Sequence, residues 1–196
     1  MNPFGVGGDD HRAYAAAMTD ARYPAVRLRR TRRTAWSRAL VAENRLSPAD
    51  LIWPLFVTEG TEVEDPIITL PGVSRWSVDR IVERAGEAIA LGIACIALFP
   101  NTPPGLRSAD GAEALNPDNL MCRAIRAVKA AHGDAIGLLT DVALDPYTSH
   151  GQDGLIDAGG AVVNDATVQM LVGQALNQAR AGADIIAPSD MMDGRI

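Results

Sequence analysis

The chain has 196 residues, 47% hydrophobic and 21% charged, which suits one soluble globular domain with a sizeable core. No apolar run approaches the roughly 18–20 residues that span a bilayer, and no apolar stretch behind a basic start reads as a secretory signal. A membrane protein is therefore not expected. The net charge of −6 is unevenly divided: nine arginines face four acidic residues before position 46, while acids dominate the remainder. A basic segment on an acidic body could bind nucleic acid or lie against an acidic neighbour subunit, and no nucleic-acid module signature follows it. Cys95 and Cys122 sit in apolar contexts without metal-ligand spacing, so they read as buried free thiols in a reducing cytoplasm. Lysine occurs once, as Lys129, against 17 arginines. Any Schiff-base chemistry must use that amine or take place elsewhere.

In chain order, residues 1–25 are rich in Gly, Ala and Asp without a sustained period, and read as a loosely ordered tail that includes His11. Trp36, Leu40 and Val41 at helical spacing predict a short amphipathic helix over 35–44. Ser47-Pro48 marks a helix start, and "LIWPLFV" (51–57) is an apolar run of strand length. A unit then recurs. Val78, Ile81, Val82, Ala85 and Ile89 line one face of a helix over 78–91, Gly92 caps it, and "IACIALFP" (93–100) reads as a buried strand. Leu120, Ala124, Ile125 and Val128 repeat the helix, Gly133 stops it, and "AIGLLTDVAL" (135–144) follows. Val168, Leu171, Val172, Ala175 and Ala179 repeat it again, Gly182 caps it, and "ADIIAPSD" (183–190) is the fourth strand.

Apolar strands alternating with amphipathic helices predict a parallel sheet with crossover helices. A doubly wound sheet and a (β/α)8 barrel both fit. No Gly-rich phosphate loop follows any strand, whereas polar residues cluster at the strand C-terminal ends in "FPNTPP", "LTDVALD" and "APSDMMD", where a barrel keeps its active site. A whole barrel needs about 250 residues and eight strands. Four strands predict the first half of one over 46–196, with 1–45 as N-terminal tail and arm.

Asp141 ends the third strand, where burial can tune a carboxyl for proton transfer; capping a loop is its bland reading. Ser189 and Asp190 end the next strand and are expected beside Asp141 at the same rim, or as helix N-caps. Asp145, His150 and Asp153 could hold a hard cation, or simply form a solvated polar loop. Zinc would want several close Cys or His ligands, which are missing. His132, before Gly133, suits a helix C-terminus. Lys129 reads as ordinary helix surface.

Five stretches then carry a resemblance: "RLRRTRRTAWSRALVAENRLSPADLIWPLFVTEG", "LPGVSRWS", "ALFPNTPP", "LTDVALDPYTSHGQDG" and "IIAPSDMMDGRI". Over residues 27–196 the sequence resembles the 5-aminolevulinate dehydratase (porphobilinogen synthase) family. The resemblance implies a (β/α)8 TIM barrel, an N-terminal arm that embraces a neighbour in a homo-oligomer, commonly an octamer, and a cytoplasmic enzyme without nucleic-acid or membrane partners. It implies the condensation of two 5-aminolevulinate molecules to porphobilinogen with loss of two waters, a step towards tetrapyrroles such as haem. It further implies two Schiff-base lysines on later strands, with Asp141 matching an active-site carboxylate and Ser189 a residue near the first of those lysines.

At positions where zinc-dependent relatives carry three cysteines, this sequence has Ala143, Asp145 and Asp153. That implies the aspartate-containing branch: Asp145 and Asp153 as ligands of magnesium or a monovalent cation, or no catalytic metal, and no thiolate zinc site. The Schiff-base lysines, the flap over the site and the substrate-carboxylate arginines are expected beyond Ile196. The chain is therefore expected to be inactive by itself, and its two open sheet edges to invite association. The alternative is a non-catalytic half-barrel that serves as an assembly module.

Overall fold

The computed structural model describes residues 29–195, so the expected tail over 1–25 lies outside the described residues. The chain divides into two compact units, 1–45 and 46–196. In the first, Thr34 caps helix α1 (Ala35–Leu40): its hydroxyl accepts from the Ser37 N–H at 3.4 Å, and the Ser37 hydroxyl accepts from the Thr34 N–H in return. The helix is shorter than its apolar pattern predicts. Trp36 and Leu40 are 71% and 76% exposed, so the packing needed to extend so short a helix is missing.

The second unit is a six-stranded sheet of order β2-β3-β1-β4-β5-β6. Its strands are β1 (Ile52–Thr58), β2 (Glu64–Pro66), β3 (Ser74–Ser77), β4 (Cys95–Pro100), β5 (Gly137–Val142) and β6 (Ile185–Pro188). Helices α2 (Val78–Ala90), α3 (Leu120–His132) and α4 (Asn164–Ala181) precede β4, β5 and β6. The strands β3-β1-β4-β5-β6 pair parallel, and only β2 runs antiparallel, against β3. Neither β2 nor β3 is predicted from the sequence. Both are short, with β2 at the sheet edge and β3 between it and β1, and "SRWS" lacks the apolar alternation that marks a strand. Ser47-Pro48 opens a single 3-10 turn, Pro48–Asp50, rather than a helix.

Alternation along the strands sorts the two faces of the sheet. Leu55, Val57, Ile96, Leu98 and Leu138 form the core with Ile81, Ala85 and Ala88 of α2 and with Leu120, Cys122, Ile125 and Val128 of α3. On α4, Leu171 packs with Val142, and Gln178 bonds to Thr140. All three helices thus lie on one face. The opposite face carries Ile52, Pro54, Phe56, Ala97, Phe99, Leu139, Asp141, Ile185 and Ala187, which the registers place side by side. A doubly wound sheet would put helices on both faces; helices on one face alone make the wall of a (β/α)8 barrel.

Two local expectations are corrected. The inward face of α4 comprises Thr167, Leu171, Gln174, Gln178 and Ala181, whereas Val172 is half exposed and Ala179 exposed. Lys129 is not free surface. Its Nζ lies 2.7 Å from Asp184 Oδ2, which also accepts from the Leu138 N–H at 2.8 Å, so the pair ties α3 to the starts of β5 and β6. His132 ends α3, as its position predicts, and its Nε2 donates to the Val82 carbonyl at 2.9 Å, joining α3 to α2. Cys95 and Cys122 are buried free thiols, both pushed up in pKa by burial.

Candidate functional site

The C-terminal ends of β4, β5 and β6 share one rim. Asp141 lies on the helix-free face of β5, opposite Ala187. Its neighbours Thr140 and Val142 point the other way, into the helices. One position beyond β6, the Ser189 N–H donates to the Val142 carbonyl at 3.3 Å, and the Ser189 hydroxyl is close enough to the Asp141 carboxylate to favour its charged form. The acid and the hydroxyl therefore stand side by side, as the sequence leads one to expect.

The loop after β5 folds back on itself. Leu144 N–H donates to the Asp153 carbonyl at 3.1 Å, and Tyr147 and Thr148 both donate to the Leu144 carbonyl. Reciprocal backbone bonds, Ser108 N–H to Tyr147 and Ser149 N–H to Ser108, fasten this loop to the one after β4. Tyr147 is fully buried, which pushes its phenol far up; Gln174 is close enough to oppose that shift, but no closed hydrogen bond forms between them. Gly154, next to Asp153, allows a close approach to α4, because a Cβ there would meet Thr167 Oγ1 at 2.8 Å.

This packing brings Asp145 and Asp153 within electrostatic reach of Asp141. Burial pushes the Asp141 carboxyl up; the Ser189 hydroxyl partly offsets that, and Asp153 and Asp190 add to it. Asp145 is also pushed up, first by burial and then by Asp153 and Asp141, with Arg107 opposing. Arg107, whose Nε donates to the Thr102 carbonyl at 2.9 Å, is a charge that sequence reasoning passed over. Its stretch, "NTPPGLRS", has no period or motif to single it out.

The structure leaves His150 out of this acid cluster. Its Nδ1 accepts from the Gln152 N–H at 3.2 Å, so Nε2 carries the proton and donates to the Ala109 carbonyl at 3.0 Å. Asp190 is buried at the rim but is a structural tie: its carboxylate accepts from the Met192 N–H and from Arg195, each within 2.9 Å. Among the described residues, no group of three or more His, Cys, Asp or Glu is placed to hold a metal ion. Asp145 and Asp153 supply hard carboxylate oxygens and no thiolate, so they suit magnesium better than zinc; water or carbonyl oxygens would have to complete the shell. An apolar groove lined by Val142, Leu171, Val172, Ile186 and Pro188 opens on the helical side, away from Asp141.

A barrel wall that collects its titratable groups at the strand C-terminal ends puts the chain in the class of (β/α)8 proteins that keep their site on that rim. Comparison then gives the family. Residues 25–196 match the model of the delta-aminolevulinic acid dehydratase family, and the chain belongs to it. It is 56% identical over 181 residues to the delta-aminolevulinic acid dehydratase of Bradyrhizobium diazoefficiens, a match covering 92% of this chain and 51% of that protein. With the Chlamydia pneumoniae enzyme it shares 45% identity over 170 residues, covering 87% of this chain and 51% of the relative. The crystal structure of the Toxoplasma gondii ME49 dehydratase (porphobilinogen synthase), in complex with the reaction product porphobilinogen, superposes with a TM-score of 0.83 at 48% identity, covering 87% of this chain and 48% of that one. The chain thus spans about half the length of the relatives it matches.

Proposed function

We propose that these residues form the Asp141 side of a porphobilinogen synthase site, which condenses two 5-aminolevulinate molecules with loss of two waters. The pairing of a half-buried Asp141 of raised proton affinity with the Ser189 hydroxyl at the barrel rim supports this reading most. Each departing water needs a proton on its oxygen, and closing the ring removes protons from substrate carbon and nitrogen. A carboxyl whose proton affinity is raised towards neutral pH is suited to pass those protons. Ser189 orients the carboxylate and offers a hydroxyl to substrate. The proposed setting is a cytoplasmic homo-oligomer, up to an octamer, held through the arm over 1–45, without nucleic-acid or membrane partners. Among the described residues, no helix is long and apolar enough to cross a membrane.

The Schiff-base amines of this reading come from outside the 196 residues. Lys129 lies at the opposite end of the sheet, its ammonium held by Asp184. Purified chain incubated with 5-aminolevulinate is expected to form no porphobilinogen, and borohydride to leave Lys129 unmodified in a peptide mass map. Turnover with substrate trapped on Lys129 would overturn this. The second reading, a non-catalytic assembly module, draws on apolar residues left in the open: Ile52 and Ile185 on the helix-free face, 50% and 43% exposed, and Trp36 in the arm. The two readings separate on catalysis once a polypeptide bearing the Schiff-base lysines is supplied in trans, since an assembly module would still form no product.

The Asp145–Asp153 pair is proposed to take magnesium or a monovalent cation loosely, and not zinc. Calorimetric titration is expected to show weak magnesium binding that Asp145→Asn removes. Tight zinc binding would count against the aspartate-branch assignment.

A further inference from the structure

Two glutamines are buried on the sheet side of α4, each 1% exposed, where an amphipathic helix would carry apolar side chains. Gln178 is bound at both ends: its Oε1 accepts from Thr140 Oγ1 at 2.8 Å, and its Nε2 donates to the Asp141 carbonyl at 2.8 Å. One turn earlier, Gln174 Nε2 donates to the Ala143 carbonyl at 3.2 Å. These two carbonyls flank the point where β5 ends and the acidic loop begins.

The neighbouring strand explains why Asp141 needs such a partner. The β4–β5 register runs from Cys95↔Gly137 to Leu98↔Thr140, and the Gly137 N–H donates to the Ala94 carbonyl. In a parallel ladder, each such residue of β5 then accepts from the residue one beyond its partner on β4. Carried two residues past Leu139, that pattern assigns the Asp141 carbonyl to the N–H of residue 100. Residue 100 is proline, which has no N–H to give. A buried carbonyl without a donor is unfavourable, and the Gln178 amide fills the vacant donor role from the helix layer.

The geometry points to Gln178, backed by Gln174, as a positioning residue that stands in for the missing Pro100 donor and thereby fixes the direction of Asp141 at the rim. The inference rests on the proposal that Asp141 moves protons in the dehydratase reaction. It assigns Gln178 no contact with substrate.

The test is Gln178→Leu, alone and with Pro100→Ala, which places a backbone N–H opposite the Asp141 carbonyl. In the single variant, the Asp141 carbonyl carbon resonance is expected to move upfield. In the protein that turns over 5-aminolevulinate, kcat is expected to fall about tenfold or more, with KM within about twofold, because a small misplacement acts on the reacting geometry rather than on binding. Pro100→Ala added to Gln178→Leu is expected to restore both readouts towards those of Pro100→Ala alone. Should the single variant not fold, the double variant is compared with Pro100→Ala directly, and a double variant that fails to fold or stays impaired overturns the inference. So does a folded Gln178→Leu with unchanged resonance, or with unchanged kcat. Asp141→Asn run in parallel separates the two levels: a fully active Asp141→Asn sinks the role of Asp141 itself, whereas an active Gln178→Leu beside an inactive Asp141→Asn sinks only the positioning.

Discussion

Asp141→Asn is expected to make the fold more stable at pH 7 while removing porphobilinogen formation from the protein that carries it out. The stability half follows from linkage. Burial raises the folded carboxyl above its ordinary value of 3.8, so between that value and the raised one the folded state binds more protons than the unfolded chain. The wild-type contribution is fully present below the ordinary value and is lost as pH rises through the folded pKa. At neutral pH the charged Asp141 therefore opposes folding, with Asp153 and Asp190 adding to the strain. Asparagine keeps the shape and a partner for Ser189 without the charge. Each pKa unit is worth about 1.4 kcal/mol, and partial exposure reduces what is realised, so a gain of about 1 kcal/mol is expected. For a domain this size that is roughly 2–4 °C in Tm. The gain should shrink as pH falls towards 4, where wild-type Asp141 is itself protonated. The catalytic half is a loss of about a hundredfold or more, the usual scale for a general acid–base group. Thermal melts across pH 4–8 together with turnover assays check both halves. A variant less stable at pH 7 than at pH 4, relative to wild type, would contradict the electrostatic account.

The parts of this architecture that were legible in the sequence are those where burial and apolarity coincide. Helices α2 and α3 show their inner faces through Ile81, Ala85, Ile125 and Val128, all fully buried. The glycines at 92, 133 and 182 mark where α2, α3 and α4 end because each takes a positive φ, from 55° to 112°. Asp141 and Ser189 could be placed because a polar residue closing an apolar strand has only the rim to occupy. The illegible parts are those where polar residues are buried or charges act across loops. On α4, Gln174 and Gln178 point inward because they satisfy backbone carbonyls, and the need that Gln178 meets arises from β4 and cannot be read from the helix. Lys129 could not be paired with Asp184 from sequence either, since the partners are 55 residues apart and meet only once β6 docks on β5. Arg107 joins the acidic loop through the Ser108–Tyr147 and Ser149–Ser108 backbone bonds, which no local pattern announces.

The sharpest stability contrast separates Leu138→Ala from Val172→Ala. Leu138 is fully buried between β5 and the helices, packed with Ile96 and the α3 face, and its N–H meets Asp184. Truncating it removes two methyl groups and the methine that carries them, and leaves a void that β5, hydrogen-bonded to β4 and β6, cannot close. The expected loss is about 3 kcal/mol, within the roughly 2–5 kcal/mol seen for such substitutions. That corresponds to a Tm drop of roughly 6–12 °C in a domain of this length. Periodicity alone assigns Val172 to the same core, yet it is 50% exposed, so Val172→Ala is expected to change stability by no more than about 0.5 kcal/mol. Denaturant unfolding of the two variants reads the rotation of α4 directly. If Val172→Ala proved as damaging as Leu138→Ala, the helix would have its valine stripe against the sheet, and Gln178 would have no path to the carbonyl of Asp141.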